Sequence, residues 1–284
     1  MMFIQFGYKL LKEGIDMASC THNCSTCSSK CKKEIEFLSL NGNSHIKHII
    51  GIVSGKGGVG KSLFTSLIAS KMAKLGYKVG ILDADITGPS IPKSFGVSGM
   101  VKGNGEGIDP AISKDGIKIM SVNLLIDNPN RPVVFRGPAL GSLVSQFYTD
   151  VVWGDLDYLF IDMPPGTGDV SLTIFQQIPI DGVIMVSTPQ DLVKMIVAKS
   201  INMANMLNVK VIGLVENMSY VKCPCCGDRI ELFGRSHIGE IAEEFNLKVL
   251  ASLPIDPKIR EHVDNGDIYN FPCYELEELV KEII

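Results

Sequence analysis

The residues most able to do chemistry fall into three groups. The first is Gly55-Lys56-Gly57-Gly58-Val59-Gly60-Lys61-Ser62, which fits G-x-x-x-x-G-K-[ST]. Glycines at these places let backbone N–H groups converge on phosphate oxygens, and a helix starting at the loop adds its partial positive charge. Lys61 is placed to contact β and γ phosphates and Ser62 to ligate Mg²⁺. Lys56 adds a second cation inside the loop, where a γ phosphate lies. The second group is carboxylates at strand ends. Asp83 and Asp85 close one apolar run, and Asp162 closes Tyr158-Leu159-Phe160-Ile161. Such groups suit water positioning or Mg²⁺ held through water.

The third group is the cysteines, eight in all. Cys20, Cys24, Cys27 and Cys31 form C-x3-C-x2-C-x3-C among small and polar residues. Four thiolates that close together can wrap a metal without a protein core. The spacing matches neither standard ferredoxin run, so iron–sulfur and zinc both stay open, with His22 a competing ligand. Cys223 and Cys226 form a C-x-x-C pair stiffened by Pro224, with Cys225 an accessory. Two thiolates supply half of a zinc site or half of a 4Fe–4S cluster, so other ligands must converge or two chains must pool theirs across a two-fold axis. A dithiol redox pair is the further alternative. Cys273 reads as a plain buried residue.

These residues need elements to carry them. Seven short apolar runs read as strands: Ile49–Ser54, Lys78–Asp83, Ile117–Val122, Tyr158–Asp162, Gly182–Ser187, Lys210–Glu216 and Lys248–Leu253. Helical stretches are expected at Lys61–Leu75, Ala139–Thr149, Val170–Gln177, Asp191–Leu207, Gly234–Glu244 and Tyr274–Ile284. Near-continuous apolar strands between helices predict a mainly parallel sheet covered on both faces. Residues 99–116 read as a long surface loop. Residues 17–45 are read as a Cys-rich segment and linker, and residues 46–284 as the main domain. Residues 1–16 are read as a leader foreign to the native chain, with translation starting at Met17, because Lys12-Glu13-Gly14 back-translates to a ribosome-binding sequence. A genuine leader is the alternative.

Bulk composition narrows the function. The chain has 284 residues, 45% of them hydrophobic, enough for one large α/β domain. The net charge of −4 argues against a sequence-independent nucleic-acid binder. No apolar run approaches the length of a membrane span. The tail 274–284 holds Glu275, Glu277, Glu278 and Glu282 against Lys281, so anionic lipid would repel it. No nucleic-acid or membrane partner is expected, and a cytoplasmic setting is.

Taken together, the loop with Lys56, Asp83–Ser90 (DADITGPS), Phe135-Arg136-Gly137-Pro138, IDMPPGTGD at 161–169, STPQDL at 187–192, and ENMSY with CPCC at 216–226 resemble the Mrp/ApbC family of P-loop ATPases that carry iron–sulfur clusters. The resemblance implies a doubly wound P-loop NTPase sheet of the MinD/ParA-like superfamily, a homodimer, slow ATP hydrolysis, and transfer of a 4Fe–4S cluster to apo-proteins. Lys56 would be the signature lysine of a deviant Walker A loop and Lys61 the Walker lysine. Asp85 would position the attacking water, Asp162 would be the Walker B carboxylate, and Asn217 would contact adenine. Cys223 and Cys226 would hold a cluster shared between two subunits. Cys20, Cys24, Cys27 and Cys31 are similar in placement to the ferredoxin-like motif of one branch. Nucleotide occupancy is expected to act through the Asp85 and Asp162 loops on the cysteine segment. The alternatives are a MinD/ParA-like spatial organiser and a nucleotide-dependent redox protein like the nitrogenase iron protein.

Overall fold

A computed structural model describes residues 37–86, 88, 90–126, 137–190 and 193–284. The expected leader, the segment with Cys20, Cys24, Cys27 and Cys31, and Thr87, Pro89, Phe135, Arg136, Asp191 and Leu192 lie outside the described residues.

In chain order the elements are β1 (His45–Ser54), α1 (Lys61–Lys74), β2 (Val79–Asp83), α2 (Ile91–Ser94), β3 (Gly103–Asn104), β4 (Gly107–Ile108), β5 (Ala111–Ile112) and β6 (Lys118–Ser121). There follow α3 (Gly137–Thr149), β7 (Asp155–Asp162), α4 (Asp169–Gln177), β8 (Gly182–Ser187), α5 (Val193–Met206) and β9 (Val211–Lys222). The chain ends with β10 (Arg229–Ile230), α6 (Ile238–Glu244), β11 (Val249–Pro254), α7 (Pro257–Asp264) and α8 (Glu277–Ile283).

One sheet runs β11-β9-β8-β1-β7-β2-β6-β5, with β10 pairing the far end of β9. β5 and β10 are antiparallel, and the other pairs are parallel. The sheet is buried on both faces, and β1 shows how. Ile49 and Val53 face one core cluster with Trp153, Phe147 and Met185, while Ile50 and Ile52 face another with Phe64, Ile68 and Phe160. The period of two in a strand produces this split.

α1 covers the second face with Phe64, Leu67, Ile68 and Met72 at helical spacing. It ends at Gly76, φ 93°, where Gly76 N–H bonds Ala73 O and Tyr77 N–H bonds Met72 O. Those two bonds are a Schellman cap, which needs a left-handed residue. β1 lies at the point where strand order reverses, with β7 on one side and β8 on the other. In such sheets the crevice for ligands opens at the carboxyl ends of the strands beside that point.

All seven expected strands form, but several boundaries move. β1 begins at His45, and Leu38 and Leu40 pack on the core, so part of the expected linker belongs to the folded unit starting at Leu38. The expected 99–116 loop contains three two-residue strands, too short to carry a periodic signal. β9 runs six residues beyond Glu216, to Lys222. The helix expected from Gly234 starts at Ile238, and residues 274–276 of the tail form a 3-10 turn before α8. α2 and α7 were not anticipated. α7 carries its own start signal, with Asp256 capping Lys258 N–H and Pro257 in the first turn.

Candidate functional site

The phosphate loop leaves β1 at Ser54 and enters α1 at Lys61. Gly60 adopts φ 81°, and a Cβ there would lie 2.1 Å from Asn217 Nδ2. Both the backbone angle and the space therefore require glycine. At Gly55 an added Cβ would meet Ile196 Cγ2 of α5 at 2.2 Å. The loop is thus fitted against β9 on one side and α5 on the other. Gly166 N–H also donates to Ser54 O at 2.8 Å, pinning the loop after β7 to the start of the phosphate loop.

Asp162 is the hub. It is fully buried at the end of β7, one strand from β1. Lys61 Nζ lies 2.7 Å from its Oδ1, and Thr65 Oγ1 donates to the same oxygen at 2.9 Å. Ser62 Oγ donates to its Oδ2. Lys61 also lies 3.9 Å from Asp85 Oδ2. The structure therefore brings Lys61, Ser62, Asp85 and Asp162 together, and adds Thr65, which the motif reading left out. Thr65 stands one helical turn after Lys61, whose carbonyl it also bonds at 3.0 Å. That spacing on a helix starting at a phosphate loop was the available signal.

Asp83 was grouped with Asp85, but its setting differs. It is 1% exposed and pairs in register with Asp162 across β2 and β7. Ser121 Oγ donates to it at 3.0 Å, and Asp85 N–H reaches its Oδ1 at 3.2 Å. Burial, and then the Asp162 carboxylate, hold its pKa well above the ordinary range. Asp83 therefore braces the turn that presents Asp85. The Asp162 carboxylate and the Ser62 hydroxyl are hard oxygen donors, side by side, of the kind a divalent cation such as Mg²⁺ takes.

Lys56 Nζ contacts Gln190 Oε1 in the loop after β8. Asn217 is 2% exposed and its Nδ2 donates to Val59 O at 2.9 Å. The expected adenine-contacting residue is thus, in this chain, a brace of the phosphate loop. Sequence gave no sign of that contact, which joins residues far apart in the chain.

The cysteine pair sits elsewhere. β9 continues past the sheet and turns back through β10, with Lys222 opposite Arg229 and Val221 opposite Ile230. Cys223 to Gly227 form the tip. Cys223 N–H donates to Asp228 O at 2.8 Å, and Gly227 N–H to Cys223 O at 2.9 Å. Cys223 is partly exposed, and Cys225 and Cys226 are exposed. Backbone N–H groups of Cys226, then Cys225, point at the Cys223 sulfur and hold its pKa below the usual thiol range. The Cys226 thiol donates to Asp228 Oδ2 at 3.2 Å. Among the described residues no group of three or more His, Cys, Asp or Glu could hold a metal. Cys273 is buried, and burial pushes its thiol up to about 12, in keeping with an inert core residue.

Residues 45–284 match the family described as ParA: NUBPL iron-transfer P-loop NTPase. A Methanocaldococcus jannaschii protein named iron-sulfur cluster carrier protein is 46% identical over 282 residues, covering 94% of this chain and 97% of its own. A nucleotide-binding protein from Archaeoglobus fulgidus, solved in complex with ADP, superposes with a TM-score of 0.73 at 41% identity, covering 82% of this chain and 91% of its own. The cell-division MinC:MinD complex of Aquifex aeolicus contains a chain with TM-score 0.58 at 20% identity, covering 83% of this chain and 93% of its own, which shows the shared fold. A phosphate loop braced on Asp162, a mainly parallel sheet and a match over most of the chain lead to one assignment: this chain belongs to the ParA-type, NUBPL iron-transfer P-loop NTPase family.

Proposed function

We propose that this protein is an ATP-dependent iron–sulfur cluster carrier that works as a homodimer and delivers a 4Fe–4S cluster to apo-proteins. The observation that carries the reading is the cysteine tip. It offers two partly to fully exposed thiols, Cys223 and Cys226, on a tight turn, with no further ligand converging among the described residues. Two such tips related by a two-fold axis supply the four thiolates a 4Fe–4S cluster takes. A cargo held at an exposed, shared boundary is open to attack by an acceptor's thiolates, as release requires. Relatives named iron-sulfur cluster carrier protein support the same reading.

ATP is the substrate of the phosphate site. On binding, Lys61 moves its ammonium from Asp162 to the β and γ phosphates, and Thr65 keeps hold of Asp162. Ser62 and Asp162 would hold Mg²⁺ beside the phosphates, where the ion would supply neutralisation of their charge. Asp85 orients the attacking water, set in place by its N–H bond to Asp83. Lys56 leaves Gln190 for the nucleotide of the second copy. Asn217 serves the adenine end while its Nδ2 braces Val59 O. Hydrolysis is slow and coupled to cluster handling.

The N-terminal set Cys20, Cys24, Cys27 and Cys31 is proposed as a second metal site, iron–sulfur or zinc. The free thiols at 223, 225, 226 and 273 suit the reducing cytoplasm. The organiser alternative finds less support. Leu279 and Val280 of the tail are buried, and Tyr158 Oη donates to Ile283 O at 3.0 Å, so the last helix is committed to the core. No helix among the described residues is long and apolar enough to cross a membrane.

The test is anaerobic reconstitution with iron and sulfide, followed by transfer to an apo-ferredoxin. The expected result is a broad absorption band near ~400 nm, as thiolate-ligated iron–sulfur clusters give, and transfer that disappears in the double variant Cys223→Ser, Cys226→Ser. Transfer that survives in that variant contradicts the assignment. ATP-dependent electron donation without loss of the cluster would favour the redox alternative.

A further inference from the structure

The cysteine excursion is anchored at both ends by one buried carboxylate. Glu216 is 2% exposed and is the last residue of β9 that pairs with β8, opposite Ser187. Its Oε2 accepts a hydrogen bond from Ser219 Oγ, and its Oε1 accepts one from Ser236 Oγ. Ser219 lies on the outgoing strand before Cys223. Ser236 lies on the returning chain after β10, where its Oγ also accepts Ile238 N–H at 3.2 Å and so fixes the start of α6. Past Tyr220, the chain that carries Cys223, Cys225 and Cys226 is largely exposed before it comes back to the same carboxylate.

The neighbouring residue reaches the nucleotide site. Asn217 Nδ2 bonds Val59 O inside the phosphate loop and fills the space over Gly60. The backbone is bent to achieve this. Pairing with β11 jumps from Ser252 opposite Glu216 to Pro254 opposite Tyr220, and Met218 between them adopts φ 57°. A left-handed conformation at a residue other than glycine persists where its surroundings over-determine it, and such places cluster at switch regions. Beyond the bulge, Tyr220 O accepts Ile255 N–H at 2.8 Å and the Arg229 guanidinium lies 4.3 Å over the Tyr220 ring. A displacement of Val59 and Gly60 thus has a short, hydrogen-bonded route to both roots of the hairpin.

We propose that Glu216 is a positioning residue that ties the two roots of the cysteine hairpin to the phosphate-loop brace, so that nucleotide binding at Val59–Gly60 changes the placement of Cys223 and Cys226. This deepens the carrier reading and takes its purpose from it, but the linkage itself holds in protein without a cluster. A hydroxyl-to-carboxylate bond is strong enough to transmit position, and a buried carboxylate with one donor removed is left with an unmet demand that loosens the root it served.

The test uses the full chain without cluster. Alkylation of Cys225 and Cys226 is followed by peptide-resolved mass spectrometry with and without Mg-ATP, in wild type, Ser236→Ala, Ser236→Thr and Glu216→Gln. Mg-ATP affinity and thermal midpoint are measured on each. The wild type is expected to change its labelling rate severalfold with Mg-ATP. Ser236→Ala is expected to label about tenfold faster without nucleotide, the order of effect of losing one charge-assisted bond, and to lose the nucleotide response while still binding Mg-ATP. Ser236→Thr keeps the hydroxyl and is expected to keep the response. Glu216→Gln, which retains shape, is expected to weaken it.

A Ser236→Ala protein with a lowered thermal midpoint and a wild-type nucleotide response overturns the proposal, since that pattern is a structural role alone. A wild type that shows no response overturns it too. Cluster uptake is measured separately on the same proteins. A nucleotide response without any cluster uptake sinks the carrier reading and leaves the linkage standing, and uptake without a response does the reverse.

Discussion

The phosphate site and the cysteine hairpin are built on opposite plans. Asp162 lies in a sheet buried on both faces, and every oxygen it offers is taken by Lys61, Ser62 or Thr65 of the same chain. The hairpin from Lys222 to Ile230 rests on a two-residue ladder, and Ile230, Leu232 and Phe233 beside it are exposed. The Asp162 hub is assembled from one chain, whereas the hairpin shows two thiols with no further ligand among the described residues. The difference separates what the core positions from what, under the proposed function, a second copy completes. Nucleotide chemistry is positioned by the core. Under the proposed function, cargo is held where a second molecule can reach it.

Truncations should separate the two regions most sharply. Phe160 is fully buried in the sheet that presents Asp162. Phe160→Ala is expected to cost about 3–5 kcal/mol of unfolding free energy, measured by denaturant titration. A loss under 1 kcal/mol would mean that the sheet does not hold the site as described. Next in size is Lys61→Ala, which removes a preorganised cation from the phosphates. A fall in kcat of about 10²- to 10³-fold is expected, together with a lowered thermal midpoint, because the buried Asp162 carboxylate loses its cation. Unchanged hydrolysis would place catalysis elsewhere.

Asp83→Asn has a smaller effect of opposite sign. The folded-state pKa of Asp83 is raised by burial and by Asp162, so the folded chain holds this proton more tightly than the unfolded chain. Stability from this group is full below the unfolded carboxylate pKa and is lost as pH rises through the folded one. Asn keeps a partner for Ser121 and removes the charge. It should therefore raise the thermal midpoint at neutral pH and flatten the decline from acid to neutral. A variant as steep as wild type would assign that decline to another group. The smallest effect belongs to the hairpin. Phe233→Ala, at a residue 43% exposed, should shift stability by no more than about 0.5 kcal/mol. A core-sized loss would show that the hairpin is packed against something within the single chain.

Much of the first region was legible in the sequence because it follows strong local rules. Ile49–Ser54 and Tyr158–Asp162 are short apolar runs bounded by turn residues, and the glycine spacing before Lys61 has one dominant use. Lys61, Ser62 and Asp162 are therefore legible as candidates from local sequence, and the fold brings their side chains together. The second region was readable only as chemistry. The C-x-x-C spacing pointed to a metal, but Glu-Asn-Met-Ser-Tyr-Val-Lys has no clean alternation, so the run of β9 to Lys222 and its bulge at Met218 stayed hidden. Glu216, Asn217 and Ser236 were missed as connectors for a different reason. Their partners are set by tertiary approach, Asn217 to Val59 and Ser236 to Glu216, and no local pattern encodes that. Asp83 and Asp85 look alike in the sequence and differ only in burial, which strand pairing with β7 decides.

The central claim is that the tip at Cys223 and Cys226 is half a site, completed by a second copy. The most direct measurement is anaerobic native mass spectrometry of the reconstituted protein in which Cys20, Cys24, Cys27 and Cys31 have been changed to Ser. The prediction is a species of two chains bearing a single four-iron, four-sulfide cluster, which falls apart when Cys223 and Cys226 are also replaced. A single chain that retains one zinc or one whole cluster through those two sulfurs would contradict it.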